Sequence, residues 1–155
     1  MSDQRHWTEA YVGLPYEKGG GPSAALRTSD RGFNCWTFFR HVQLHRFGIR
    51  VPEISEPDSK FKLLRKVPAA ARELGWEKVG TPRTGDAVLM AHFKHPNHVG
   101  LWVDVVNGGA VLHCVAGAGS VLATRTHLEL GQWRIISFFR PRDMAAETLE
   151  VPGHG

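Results

Sequence analysis

The sequence predicts an α+β fold, with helices in the first half of the chain and an antiparallel sheet in the second. Three observations carry this expectation. Apolar residues recur at helical spacing between Cys35 and Leu74, the period shifts to strand alternation after Trp76, and turn signals separate the alternating runs.

The elements follow in order. Gly19-Gly20-Gly21-Pro22-Ser23 is a loop, because glycine and proline supply dihedrals that helices and strands reject. Asn34 is a good N-cap, since its side-chain oxygen can accept from the free N–H groups of a first helical turn. Cys35, Phe38, Phe39 and Val42 then share a helix face, Gly48 closes that helix, and Pro52 follows. Asp58 or Ser59 can cap a second helix carrying Phe61, Leu63 and Leu64. Pro68 suits the start of a third that runs through Leu74 and ends at Gly75.

After the Thr84-Gly85 turn, residues 86–90 form a short apolar strand. Residues 98–104 alternate, with Val99, Leu101 and Val103 on one face and His98, Gly100 and Trp102 on the other. Asn107-Gly108-Gly109 is a strong turn signal, from which residues 110–115 return. Residues 121–124 and 134–139 bring the sheet to about five strands. Residues 1–141 read as a single domain without repeats, and residues 142–155 as a polar tail.

With 155 residues, 42% hydrophobic and 22% charged, the chain can bury one core and is not of a disordered class. Its net charge of +4 is spread along the sequence, and no nucleic-acid recognition motif accompanies it. Residues 1–7 lack the basic start and apolar core of a secretory signal, and no window has the length of a membrane span. Synthesis in a reducing cytoplasm without a signal peptide, and no stable membrane insertion, are therefore expected. Two cysteines make no disulfide framework, although a Cys35–Cys114 bridge would abolish any nucleophile.

Three residue types point to chemistry. Cys35 stands one residue inside a helix start, where the partial positive charge of the helix end favours a thiolate over a thiol of pKa about 8.5. N–H groups at the same end can hold an oxyanion, each worth roughly 3 kcal/mol. Taken alone, Cys35 reads as a buried structural cysteine; the company of two histidines on following strands makes it a candidate nucleophile. His98 shares its face with Gly100, which leaves open space, and His113 lies on the next strand.

Strand register decides whether the two rings meet. A two-residue Asn107-Gly108 turn would pair His113 with Trp102, roughly 13 Å from His98. A four-residue loop at 105–108 would pair His113 with Gly100 and leave the rings diagonal neighbours at roughly 7 Å. A triad requires the longer loop. A metal site is the rival, because His92, His95 and His98 recur every third residue, but Pro96 and Asn97 break that segment and no metal motif appears. His41 and His45 read as the solvated side of the first helix, and His154 as tail.

These residues resemble the NlpC-type papain-like cysteine peptidases that cut bacterial cell-wall peptides. The pieces are Tyr11-Val12-Gly13-Leu14-Pro15-Tyr16 with Gly19-Gly20, Gly32-Phe33-Asn34-Cys35-Trp36 and Thr84-Gly85-Asp86-Ala87-Val88-Leu89. His98-Val99-Gly100-Leu101-Trp102-Val103, Val111-Leu112-His113 and residues 133–141, ending Phe139-Arg140-Pro141, follow in family order.

The resemblance implies a papain-like fold with N-terminal helices on a central antiparallel sheet; no cofactor or metal is expected. It implies Cys35 as nucleophile, His98 as general base and His113 as the group that orients His98, with Tyr16, Asn34 and Trp36 binding substrate. Asn34 stands where the family commonly has Asp, and Thr37 where glycine is common, which puts the usual bond specificity in question.

The substrate implied is a peptidoglycan stem peptide. The Cys35-Trp36 pair and the Phe139-Arg140-Pro141 ending look most like the branch found in phage and gene-transfer-agent tails. That likeness implies tail-tip or hub partners, incorporation in a phage-like tail and action in the periplasm or cell wall. The alternatives are a non-catalytic tail-tip docking protein and a related amidase or acyltransferase using the same triad.

Overall fold

The computed structural model describes residues 6–17, 32–54, 56–105 and 108–142; the glycine-rich loop, Asn107 and the tail from residue 143 lie outside them. After a 3₁₀ turn at Trp7–Tyr11 come α1 (Cys35–Phe47), α2 (Pro57–Lys66) and a 3₁₀ helix at Pro68–Leu74. The strands are β1 (Trp76–Val79), β2 (Ala87–His92), β3 (His95–Val103), β4 (Ala110–Val115), β5 (Gly119–Thr124) and β6 (Arg134–Pro141), with α3 (Arg125–Leu130) before the last. All six join in one antiparallel sheet ordered β1-β6-β2-β3-β4-β5. The α+β class is as expected, with one strand more than the five read from sequence.

The start of α1 is fixed by a reciprocal capping box. Asn34 Oδ1 accepts from the Thr37 N–H at 2.8 Å, and Thr37 Oγ1 accepts from the Asn34 N–H at 3.0 Å. Threonine at 37 thus has a local job that glycine cannot do. Gly48 closes the helix in the left-handed conformation, with φ 69°. Trp36, Phe38, Phe39 and Val42 bury against Leu89, Val99, Leu101 and Leu112 of the sheet. Gln43 adds a buried polar tie, its Nε2 donating to the Gly85 carbonyl at 2.7 Å.

The second helix begins at Pro57, ahead of the expected Asp58 or Ser59. Proline takes the first helical position, where its missing N–H is no loss, and no side chain caps the end. The third helix has the expected limits but is 3₁₀. His41 departs from the solvated role expected of it: its ring packs on Phe33 at 4.9 Å and Tyr11 at 5.9 Å, while His45 is exposed.

The sheet has two unlike faces. Val99, Leu101, Val103, Leu112 and Cys114 belong to the main core under α1. Trp102, Val88, Met90 and Val111 form a smaller core covered by Leu128 of α3. The register between β3 and β4 pairs Leu101 with Leu112 and Val103 with Ala110. One step further sets His113 across from Gly100, which is the register of the longer loop.

Gly109 makes that loop possible, because its φ of 88° and its contact with the Trp102 ring both exclude a side chain. The space over Gly100, expected to be open, is filled. A Cβ there would collide with the Val111 side chain and stand 3.1 Å from His113 Cβ, so glycine lets β4 close against β3.

A bidentate ion pair joins β6 to the start of β2. Arg140 Nε and Nη2 donate to Asp86 Oδ1 and Oδ2 at 2.9 and 2.8 Å, and Asp86 is buried. Among the described residues no helix is long and apolar enough to cross a membrane.

Candidate active site

Cys35 is the first residue of α1, and His98 lies within β3. Both line one cleft of about 260 Å³, together with Tyr16, Asn34, Trp36 and Cys114. Tyr16 is held there by its strand-like bridge to Phe33, where the Phe33 N–H donates to the Pro15 carbonyl at 2.9 Å. Trp36 is 2% exposed and stacks on Phe39, so it gives the cleft a wall rather than a reaching side chain. Asn34 spends its oxygen on the helix cap.

His113 is not in the cleft lining. It stands behind His98, with its Nδ1 2.9 Å from His98 Nε2, and both rings are buried. The two imidazoles are therefore brought together by the β3–β4 register, and the thiol and His98 by a shared cleft. Among the described residues the thiol makes no hydrogen bond to either ring. Cys35 and Cys114 are both free thiols, so the bridge that would have disarmed Cys35 is absent among the described residues.

The electrostatics differ from the sequence expectation. Burial pushes the Cys35 thiol up to about 11, outweighing the N–H groups of Val99, Cys35 and Trp36 that favour the thiolate; the Asp58 carboxylate adds to the rise. Part of Cys35 still meets solvent, which limits how far desolvation goes. Burial likewise holds His98 well below its usual range, with His113, His95 and His92 adding repulsion. His113 is lowered to about 4, by burial and then His95. Tyr16 is raised by burial and by the two thiols. At neutral pH the resting site therefore holds a neutral thiol and two neutral imidazoles, not the thiolate that a helix end alone suggests.

The NlpC/P60 family model matches residues 13–133. The chain belongs to the NlpC/P60 family. No curated protein matches the chain significantly. NlpC/P60 members are cell-wall hydrolases of the cysteine peptidase kind, and the matched span contains every residue of the site just described.

One NlpC/P60 residue in this site was not legible as such. Trp133, at the foot of β6, touches four histidine rings: His98 at 4.7 Å, His92 at 4.9 Å, His113 at 5.1 Å and His95 at 5.9 Å. Its ring packs the side of the His98–His113 pair, which excludes water there and restrains both rings. The sequence showed it only as the first residue of the closing run 133–141, with no site role; the contact joins positions far apart in the chain. His92 and His95 pair across the β2–β3 turn and pack on Trp133 through their ring faces. Among the described residues no three His, Cys, Asp or Glu side chains are grouped as metal ligands.

Proposed function

We propose that this NlpC/P60 protein is a cysteine endopeptidase that hydrolyses amide bonds in peptidoglycan stem peptides, with Cys35 as nucleophile, His98 as general base and His113 as the residue that orients it. The observation that carries this reading is the 2.9 Å contact between His98 Nε2 and His113 Nδ1, set directly behind the cleft that Cys35 lines.

When His113 Nδ1 accepts, the proton of neutral His98 is held on Nε2. The Nδ1 lone pair of His98 is then the one left to take the thiol proton. Because thiol and imidazole both rest neutral, proton transfer accompanies attack. The sulfur bonds to the carbonyl carbon, the proton passes to His98 Nδ1, and the new imidazolium is stabilised through its Nε2–H donated to His113.

The N–H groups that surround the sulfur, from Cys35, Trp36 and Val99, favour negative charge at the helix start and suit an oxyanion there. Collapse breaks the C–N bond as His98 returns the proton to the leaving amine. Water, activated by the same ring, then releases the acid from the thioester.

Tyr16 and Asn34 flank the nucleophile and are assigned to substrate binding, with Trp36 as the wall behind them. Asparagine at 34 keeps a hydrogen-bonding oxygen but offers no charge for a substrate amine. Delivery to the wall by a phage-type tail tip belongs to this proposal and is supported by the likeness of Cys35-Trp36 and Phe139-Arg140-Pro141 to that branch.

The test is digestion of purified sacculi by wild-type and Cys35→Ala protein, with fragment masses. Wild type should release stem-peptide fragments and the variant none. Equal release from both would overturn the nucleophile, and masses that place the cut between glycan and peptide would replace the endopeptidase with an amidase. Absence of the protein from purified tail particles would remove the delivery step alone.

A further inference from the structure

A second cleft, of about 380 Å³, adjoins the first, and Pro96 lines both. Its lining is cationic and apolar. Arg65 comes from α2, Arg134 begins β6, and His92 and Phe93 come from the end of β2 and the turn after it. Among the described residues no aspartate or glutamate lines it. The first cleft, by contrast, has both Asp58 and Lys94 in its lining.

Among the described residues neither guanidinium has an acidic partner. Arg65 Nη1 donates to the Pro96 carbonyl at 2.9 Å and reaches Asn97 Oδ1 at 3.5 Å, contacts that hold it in place without neutralising it. No ion pair among the described residues involves Arg65 or Arg134. Two uncompensated guanidinium groups around one concavity raise the local potential for an anion, and their planar forks match a carboxylate.

Two further features mark the place as built for contact. Phe93 is 73% exposed beside these cations, an apolar plate that water covers at a cost. Gln132, which also lines the cleft, sits at φ 64° just past α3, where a glycine would be relaxed. Gln132 adds a neutral amide donor to the same lining.

We propose that this second cleft is a subsite for a carboxylate-bearing segment of the substrate whose amide bond is cut at Cys35, with Arg65 and Arg134 binding the carboxylate and Phe93 covering the neighbouring apolar part of the chain. The proposal rests on the peptidase reading above. It adds that the enzyme selects stem peptides with free carboxylates on the side of the scissile bond that extends past Pro96.

The experiment compares a synthetic stem peptide with free carboxylates and the same peptide amidated at those groups. Wild type, Arg134→Gln and Arg134→Lys are assayed as the full chain. For the free-carboxylate peptide, Arg134→Gln should raise KM about tenfold with a smaller effect on kcat, and Arg134→Lys should fall between. The amidated peptide should have a high KM that the substitution does not change. Equal KM values for the two peptides, or no response to Arg134→Gln, would overturn the subsite.

Binding to Cys35→Ala protein by calorimetry separates the two readings. If wild type cuts neither peptide, the peptidase reading fails. A preference of Cys35→Ala for the carboxylate form, lost when Arg134→Gln is added, would still support the subsite, and equal affinities would remove it.

Discussion

The start of α1 and the middle of β4 each present a thiol to the same cleft, and the two sites could hardly be less alike. Cys114 is fully buried on a strand face, donates its Sγ–H to the Phe33 carbonyl at 3.3 Å, and is pushed up to about 12 by burial and by Cys35. Cys35 is partly open, faces three backbone N–H groups, and sits beside a histidine whose far nitrogen is already engaged. Both thiols rest neutral. What separates them is the equipment for losing a proton at the moment of attack: Cys35 has solvent access and backbone donors for the resulting charge, whereas the proton of Cys114 is committed to the Phe33 carbonyl. Under the proposed function, partners rather than the resting ionisation of the sulfur would make Cys35 the nucleophile and leave Cys114 a packing residue.

The sharpest way to break that contrast is paired substitution. Cys35→Ala should reduce turnover of stem peptide by about 10⁴-fold or more, as loss of a nucleophile does. Cys114→Ala should keep most activity and lower stability by about 1–2 kcal/mol, the scale of a small buried group and one weak hydrogen bond. Thermal unfolding and turnover of the two variants read the difference, and a Cys114 variant as dead as the Cys35 variant would erase it.

Removing the base's support comes next. His113→Ala should lower kcat by roughly 10²-fold or more while KM changes little, because His98 loses the contact that fixes its proton on Nε2. Unchanged kcat would mean that the 2.9 Å contact is structural only.

Acid should also loosen this side of the sheet more than the thiol sides. A histidine lowered in the folded state binds its proton more readily when unfolded, so folding stability falls with decreasing pH. For His113 the window runs from the ordinary imidazole range, about 6.5, down to about 4. The loss amounts to as much as about 3 kcal/mol at the acid end of that window. Urea unfolding of wild type and His113→Gln across this window checks it: the variant should show the shallower pH dependence, and parallel curves would refute the assignment.

The smallest effect concerns the resting thiol. Alkylation of Cys35 by iodoacetamide should climb steadily as pH rises above about 8, as a neutral thiol requires. A plateau at neutral pH would reveal a preformed thiolate–imidazolium pair and contradict the resting state described above.

The comparison of the two thiols also shows what the sequence could and could not tell. Asn34, Gly48 and Gly75 act through their own neighbours, so the limits of α1 and the end of the 3₁₀ helix were legible. So was β4, bounded by Gly109 and a turn. Strand β1 escaped because it is four residues long and pairs with β6, at the other end of the domain. Helix α3 escaped because six residues with Leu128 buried and Leu130 77% exposed carry no helical period.

In the site, the histidine pair followed from a register that turn chemistry could frame. Two of its features did not: Trp133 reaches it only through the folded sheet, and the pull of burial against the helix end depends on how much protein surrounds the sulfur. Local signals survive translation into sequence; desolvation and long-range packing do not.

Intact-mass and peptide-mapping analysis after exposure to an electrophilic stem-peptide analogue distinguishes the two thiols in one experiment. A single adduct is expected on Cys35 and none on Cys114, with formation slowed by roughly 10²-fold or more in His98→Ala. An adduct on Cys114, or equal rates with and without the imidazole at position 98, would contradict that expectation.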